Sequence, residues 1–188
     1  IFLHRDPRDV VVSQFHNVHH RDLPHKESLR DDHPQKTVLS DFVKFTLPPP
    51  KSIEDFINCP HWGFNRIAKF NIGVLKNCNI GHIWNYERMK LYPKSTISDL
   101  CHFLALDPPK AKIYQAINNN TFESMLSKEL SPGSTTGKRI GKLYSNHDLS
   151  NVNARKVRKG KIGGWTEEVD STFHKGLSEL TKKYYLNL

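Results

Sequence analysis

The stretch IFLHRDPRDVVVSQFH, residues 1–16, decides the fold class of this chain. It opens with a short apolar run, which predicts a buried β-strand over Ile1 to His4. Asp6 then suits the N-cap of a helix, Pro7 suits its first helical position, and Asp9 adds a negative charge to the first turn. The chain therefore predicts a strand, a tight turn and a helix in direct succession, which is a building unit of α/β folds.

The rest of the chain predicts one more strand and several helices. Ile80 to Tyr86 is the second run with strand character. Apolar residues at helical spacing predict the other elements, and the clearest stripe is Trp62, Ile67, Phe70 and Val74. Since each strand is followed by a helix, we expect a parallel sheet that is covered on both faces. The predicted helices beyond the first lie at 39–47, 53–58, 62–77, 96–105, 110–118, 120–128 and 168–184.

Composition excludes several classes of protein. The 188 residues are 37% hydrophobic, which is too rich for a typical disordered chain. Apolar runs are only a handful of residues long, far short of the roughly 20 that span a bilayer, so we expect no membrane segment. Cys59, Cys78 and Cys101 show no C-x-x-C spacing, which argues against a zinc ribbon or a disulfide framework and indicates a reducing compartment.

The positive charge is concentrated in one part of the chain. Lys and Arg number 28 against 19 acidic residues, which gives a net charge of +9. Residues 138–161, called the basic segment below, carry eight basic residues and one acidic residue, and therefore seven of the nine net charges. The basic segment also contains several Gly and Asn residues, which indicates a loop. A loop of this kind predicts binding to an anion.

Arg5 and Ser13 are the first candidate site residues. Arg5 lies at the carboxyl end of the first strand and beside a helix N-terminus, where open α/β sheets bind ligands and where backbone N–H groups favour phosphate. Its guanidinium can bind a phosphate through two hydrogen bonds, and Ser13 adds a hydroxyl donor. The alternative is a local ion pair between Arg5 and Asp9, with Ser13 as a solvated helix position.

Three further motifs follow in the chain. Residues 86–90 read YERMK at the end of the second strand, residues 121–125 read TFESM, and residues 158–165 read RKGKIGGW. The last motif joins an Arg-Lys pair to a glycine that lets the backbone approach a ligand, and ends in a turn anchored by Trp165. Together with residues 1–16, these motifs resemble, in the same order, those of the cytosolic-type sulfotransferases, which use 3′-phosphoadenosine 5′-phosphosulfate (PAPS) as donor.

The resemblance implies a set of cofactor-binding residues. Arg5 and Ser13 match residues that hold the 3′-phosphate of the donor, and the RKG residues of the last motif match those that close over the same phosphate from the opposite side. Cationic side chains form charge-assisted hydrogen bonds with a phosphate, and aromatic rings can stack on a purine. The remaining members of the set are Arg158, Lys159 and Gly160 at the phosphate, Tyr86 and Phe122 at the adenine, Asn120 where the family often has Thr, and Thr121 at the start of its motif.

The resemblance also implies a fold and a gap in it. The family has a P-loop-NTPase-like parallel sheet flanked by helices, and this chain would be its carboxyl-terminal, helix-rich portion. The family's 5′-phosphosulfate loop, with its catalytic lysine, has no counterpart here, and its base histidine precedes the Arg5 motif. We therefore expect no catalytic residue in this chain, and we expect the chain alone to show no sulfotransferase activity. Residues 1–188 are interpreted as one partial domain, and residues 129–164 as a basic loop that covers the nucleotide.

The expected ligands are small molecules in the cytoplasm. The donor would be PAPS, the product 3′,5′-ADP, and the acceptor a small molecule with a hydroxyl or an amine. No metal, nucleic acid or membrane partner is expected. The family's usual dimer motif is not recognisable in residues 166–175.

Three of these sequence features also fit other functions. The basic segment also fits a non-catalytic module that binds polyanions or nucleic acids, although Tyr144 is its only aromatic residue and strand-binding surfaces interleave several. Residues 133–139 imitate a phosphate loop but have three residues between the glycines instead of four. His16 and His20 have a metal-compatible spacing, yet no Glu follows His16 as in the hydrolase motif, so a pH-sensitive polar surface is the preferred interpretation.

Overall fold

The computed structural model shows two parallel strands followed in each case by a helix. Strand β1 (Phe2–His4) pairs with β2 (Ile83–Asn85), and Leu3 lies opposite Trp84. The predicted mixed α/β class with parallel strands is confirmed. Because the carboxyl ends of parallel neighbours meet at one edge, the residues that follow β1 and β2 come together there. The structure describes residues 1–22, 48–131 and 150–185.

The first helix, α1 (Pro7–Asn17), begins where the sequence predicts it. Asp6 is its N-cap and accepts a hydrogen bond from the backbone N–H of Arg8 at 2.9 Å, while Pro7 occupies the first turn. The backbone N–H of Asp6 also donates to Glu87 Oε1 at 2.9 Å, which ties the start of α1 to the residues after β2. A π-helical turn (Val18–Asp22) continues α1.

Seven more α-helices occur in the three described ranges, and two short 3₁₀ segments, Val152–Ala154 and Gly164–Glu167, flank the RKG residues. The helices are α2 (Ile53–Asn58), α3 (Phe64–Asn77), α4 (Tyr86–Leu91), α5 (Pro93–Phe103), α6 (Lys110–Asn119), α7 (Phe122–Leu130) and α8 (Ser171–Tyr185).

The core forms around α1. Val11, Val12 and Val18 are buried against side chains from α2, α3, α8 and the 3₁₀ segment at Gly164–Glu167. The helix predicted at 168–184 is confirmed as α8, whose Leu177 is buried in this core while Phe173, Leu180 and Tyr184 pack against it. Trp165 belongs to the same core, and this fixes one end of the 158–165 motif to α1. The other buried members are Phe56, Ile57, Trp62, Phe64, Ala68 and Val169.

Two features of the predicted elements are wrong. Phe70 was expected in the apolar stripe of α3 but is 64% exposed, because Phe64, Ala68 and Asn71 are the positions that α3 buries. The second strand is also shorter than the predicted Ile80 to Tyr86. It ends at Asn85 because that side chain caps α4, accepting a hydrogen bond from the backbone N–H of Arg88 at 2.8 Å.

The remaining predicted helices agree with the structure to within a few residues. The helix at 53–58 is confirmed, and the one predicted at 96–105 begins at Pro93, which suits a first helical turn. The helix predicted at 120–128 begins at Phe122 because Thr121 is its N-cap. The helix predicted at 39–47 lies outside the described residues, as do residues 138–149 of the basic segment and residues 132–149 of the 129–164 loop.

Candidate functional site

Arg5 sits where β1, β2 and the RKG motif meet. Its guanidinium stacks over the ring of Tyr86, the residue that follows β2, at 4.6 Å from the centroid. Its Nη2 lies 3.6 Å from Asp9 Oδ2 and donates to the carbonyl oxygen of Lys161 at 3.4 Å. The local ion pair with Asp9 therefore exists, and Arg5 makes it while also facing the candidate site. Ser13, two turns along α1, is exposed.

Asp9 has a role that the sequence did not reveal. It is only 4% exposed, and its carboxylate accepts two backbone hydrogen bonds, from Gly163 N at 2.9 Å and from Trp165 N at 3.1 Å. These bonds fasten the end of the 158–165 motif to the first turn of α1. The sequence offers no signal for a pairing across more than 150 residues, because an acid in a first helical turn has a sufficient local explanation.

Gly160 is a position where only glycine fits. Its φ of +58° lies in the left-handed region, and a Cβ there would lie 2.5 Å from the ring of Phe122. The backbone of the 158–165 motif therefore lies directly against the aromatic residue that begins α7. Two widely separated sequence motifs, RKG and TFESM, meet at this contact.

Arg158 and Lys159 both contact the carboxylate of Glu168. Arg158 makes two parallel hydrogen bonds to it, Nη1 to Oε2 at 2.8 Å and Nη2 to Oε1 at 2.9 Å, and Lys159 Nζ lies 3.2 Å from Oε1. Burial alone would raise the pKa of Glu168, but hydrogen bonds from His16 and Arg158 outweigh it and hold the pKa well below its ordinary value. Glu168 is therefore a carboxylate, and sequence reasoning missed it.

His16 is part of this cluster and not of a polar surface, so that interpretation is wrong for this residue. It is buried, and its Nε2 lies 2.5 Å from Glu168 Oε2. Its ring stacks on that of His20, with centroids 5.6 Å apart. Among the described residues, no group of three or more His, Cys, Asp or Glu side chains could hold a metal ion.

Asn120 and Thr121 lie at the junction of α6 and α7, where both make local hydrogen bonds. The amide of Asn120 donates to the carbonyl oxygen of Ala116 at 2.8 Å, and Thr121 Oγ1 accepts from the backbone N–H of Ser124 at 3.2 Å. Both side chains therefore stabilise helix ends, and they hold Phe122 at the first position of α7.

All nine sequence-predicted residues line one cavity of about 730 Å³. Cations line part of it, and aromatic and apolar side chains, including Met89 and Ile117, line the rest. An arrangement of this kind can hold a phosphate and a planar ring together. Three of the nine also line a smaller, strongly basic cavity of about 320 Å³ beside α1. The nine are Arg5, Ser13, Tyr86, Asn120, Thr121, Phe122, Arg158, Lys159 and Gly160, and the shared three are Arg5, Ser13 and Arg158.

Comparison with known proteins identifies the family of the chain. The family model for the sulfotransferase domain matches residues 1–186, so the chain belongs to that family. No curated protein matches the sequence. Among solved structures, mouse sulfotransferase SULT7A1 complexed with PAP is 18% identical with a TM-score of 0.61, and its match covers all of this chain and 58% of that one.

A second solved structure is retinol dehydratase in complex with androsterone and inactive cofactor PAP. It is 19% identical with a TM-score of 0.47, and the match covers 98% of this chain and 45% of that one. The chain thus spans about half the length of the solved structures that it matches. In the part of the chain that the structure describes, no helix has both the length and the apolar character of a membrane span.

Proposed function

We propose that this chain carries the donor-binding part of a sulfotransferase that transfers a sulfuryl group from PAPS to a hydroxyl or amine of a small acceptor. The observation that supports it is the convergence of four separate sequence motifs on one cavity. When bound, PAPS would supply the sulfuryl group, and its nucleotide would leave as 3′,5′-ADP. We assign no catalytic residue to the chain and expect it to bind nucleotide without measurable turnover by itself.

The residues at the cavity fit the 3′-phosphoadenosine part of this donor. Nε of Arg5 is buried and has no hydrogen-bond partner among the described residues, so a donor to an anion is present at the site. Ser13 and Lys159 add a hydroxyl and an ammonium group. The missing side chain at Gly160 lets the backbone of the 158–165 motif pack directly against the ring of Phe122, which lines the same cavity. Phosphate would thus bind at the cations, and the purine at the aromatic rings.

The test compares 3′,5′-ADP with 5′-AMP by isothermal titration calorimetry on the 188-residue chain. The wild type should prefer 3′,5′-ADP, since only this nucleotide carries the 3′-phosphate. Arg158→Ala and Lys159→Ala should each weaken binding of 3′,5′-ADP by about 1.5–3 kcal/mol, or roughly 10- to 150-fold, with little change for 5′-AMP. Ser13→Ala should lose less, because a neutral donor contributes less than a charged one.

Lys69→Ala is the matched control, because Lys69 is an exposed cation of α3 outside the cavity. It should leave both affinities unchanged. Equal weakening of the two nucleotides by Arg158→Ala would contradict the assignment. A chain that binds single-stranded DNA as well as 3′,5′-ADP, with an affinity that falls steeply with salt, would favour a general polyanion-binding module instead.

A further inference from the structure

The cations of the 158–161 stretch are paired with two adjacent acidic residues. Glu168 binds Arg158 and Lys159, as described above, and Glu167 lies 3.6 Å from Lys159 Nζ and also pairs with Lys161. The two acids differ in their surroundings. The Glu168 side chain is 13% exposed, whereas that of Glu167 is 45% exposed. Solvent therefore screens the pairs of Glu167 much more than those of Glu168.

Glu168 also connects the 158–161 stretch to α1. Its Oε2 accepts from Arg158 and lies against Nε2 of His16, which belongs to α1. Ser13 precedes His16 by three residues, so the two side chains lie on the same face of that helix. One carboxylate thus fixes the distance between the residues proposed to hold the 3′-phosphate from its two sides, Ser13 on α1 and Arg158 on the facing segment.

The bonding to Glu168 leaves part of the Arg158 guanidinium available. A guanidinium has five N–H donors, and the two bonds to the carboxylate use one from each terminal nitrogen. Arg158 lines the cavity, so its remaining donors can bind an anion while Glu168 stays in place. A long flexible side chain that is already ordered loses less conformational entropy when a ligand binds.

We infer that Glu168 is a positioning residue: it holds the Arg158 guanidinium, and with it the 158–161 stretch, in the geometry that selects a nucleotide with a 3′-phosphate. This inference rests on the proposed function, because it assumes that Arg158 binds that phosphate. The opposite role is competition, in which Glu168 pairs with Arg158 and Lys159 and the 3′-phosphate has to displace it. The two roles predict opposite signs when the charge of Glu168 is removed.

The experiment measures the affinities for 3′,5′-ADP and 5′-AMP in Glu168→Gln and in Glu167→Gln. The two variants remove the same charge at adjacent positions, so a general electrostatic effect changes both alike. If Glu168 positions Arg158, Glu168→Gln should weaken 3′,5′-ADP binding by about tenfold or more and 5′-AMP binding by less than about threefold. Glu167→Gln should change neither by more than about threefold. Tighter binding of 3′,5′-ADP by Glu168→Gln would overturn positioning in favour of competition.

A double-mutant cycle with Arg158→Ala tests whether Glu168 acts through the guanidinium. In the Arg158→Ala background, Glu168→Gln should cause no further loss of selectivity, whereas an unchanged tenfold loss would overturn the inference. Equal loss for both nucleotides would also overturn it, since this is the result of a structural defect. If Glu168→Gln does not fold, Glu168→Asp keeps the charge on a shorter side chain and should show a smaller loss confined to 3′,5′-ADP. A wild type without preference for 3′,5′-ADP would refute the proposed function itself.

Discussion

At the scale of the residue, Gly160 and Gly163 distinguish two effects that a side chain would have in the 158–165 motif: backbone strain and steric overlap. Both have positive φ, +58° and +70°, so alanine at either position would be strained by about 1–2 kcal/mol. Of the two, only Gly160 also lies against a neighbour, since a Cβ there would be 2.5 Å from the Phe122 ring. A Cβ at Gly163 would have nothing within 4 Å. Gly163→Ala therefore has the backbone cost alone, and Gly160→Ala has a steric cost as well.

We predict that Gly160→Ala lowers the thermal midpoint more than Gly163→Ala does, and that it alone weakens 3′,5′-ADP binding by about tenfold or more, because Phe122 has to move. The measurements are thermal unfolding followed by circular dichroism and calorimetric titration of the nucleotide. Equal effects of the two substitutions on both quantities would mean that the contact between Gly160 and Phe122 has no energetic role.

At the scale of the element, α1 depends on Asp9 for its attachment to the 158–165 motif. Asp9→Asn keeps the shape of the side chain but replaces one acceptor by an N–H donor that faces a backbone N–H. We predict a loss of about 2 kcal/mol in the free energy of unfolding, as is typical of a charge-assisted hydrogen bond. Urea denaturation at neutral pH measures this loss through a lower midpoint at constant slope.

Asp55→Asn is the matched control for Asp9→Asn. Asp55 is also an acid in the first turn of a helix, α2, but it is exposed. Its replacement removes only an interaction with the helix dipole, which is worth about 0.3–1 kcal/mol. If the two variants lose the same free energy, the hydrogen bonds from Gly163 and Trp165 to Asp9 do not stabilise the fold.

The same comparison of elements explains which parts of the fold the sequence predicted. The start of α1 was predictable because its signals are local: Asp6 caps the helix and Pro7 fits its first turn. Phe70 was misplaced because an apolar residue near one edge of a stripe packs only if a partner element covers it, and periodicity does not encode the partner. The sequence did not predict α4, because the apolar run through Tyr86 has strand character. The Asn85 side chain ends the strand and caps α4 instead.

At the scale of the whole molecule, the sequence predicted residues that share one cavity, but not the contacts that connect the segments around it. The nine residues that the motifs predicted all line one cavity, because each motif has a local chemical character. The sequence did not predict the roles of Glu168, Asp9 and His16, because each role depends on a contact between distant segments of the chain. In the sequence, Glu168 fits an ordinary surface acid and Asp9 fits an acid in a first helical turn. Only the fold shows the distant partner of each.

The molecule also contains groups that couple its stability to pH. Burial lowers the pKa of His4 below its ordinary value of 6.5, although Glu87 and Asp6 partly oppose this. Burial, followed by repulsion from His16, His19 and Arg158, lowers the pKa of His20. In both cases the folded chain binds a proton less readily than the unfolded chain does. Their contribution to stability is therefore present above pH 6.5 and decreases as the pH falls below it.

We predict that the free energy of unfolding falls in two stages on acidification. The first begins near pH 6.5 with His4 and His20, and the second begins below the ordinary value of 4.5 for Glu168, because an acid with a depressed folded pKa loses its stabilising charge there. Urea midpoints at pH 7.5, 5.5 and 4 measure both stages. The double variant His4→Gln, His20→Gln should flatten the first stage, whereas substitution of the exposed His102 by Gln should not. An unchanged first stage in the double variant would show that other groups cause it.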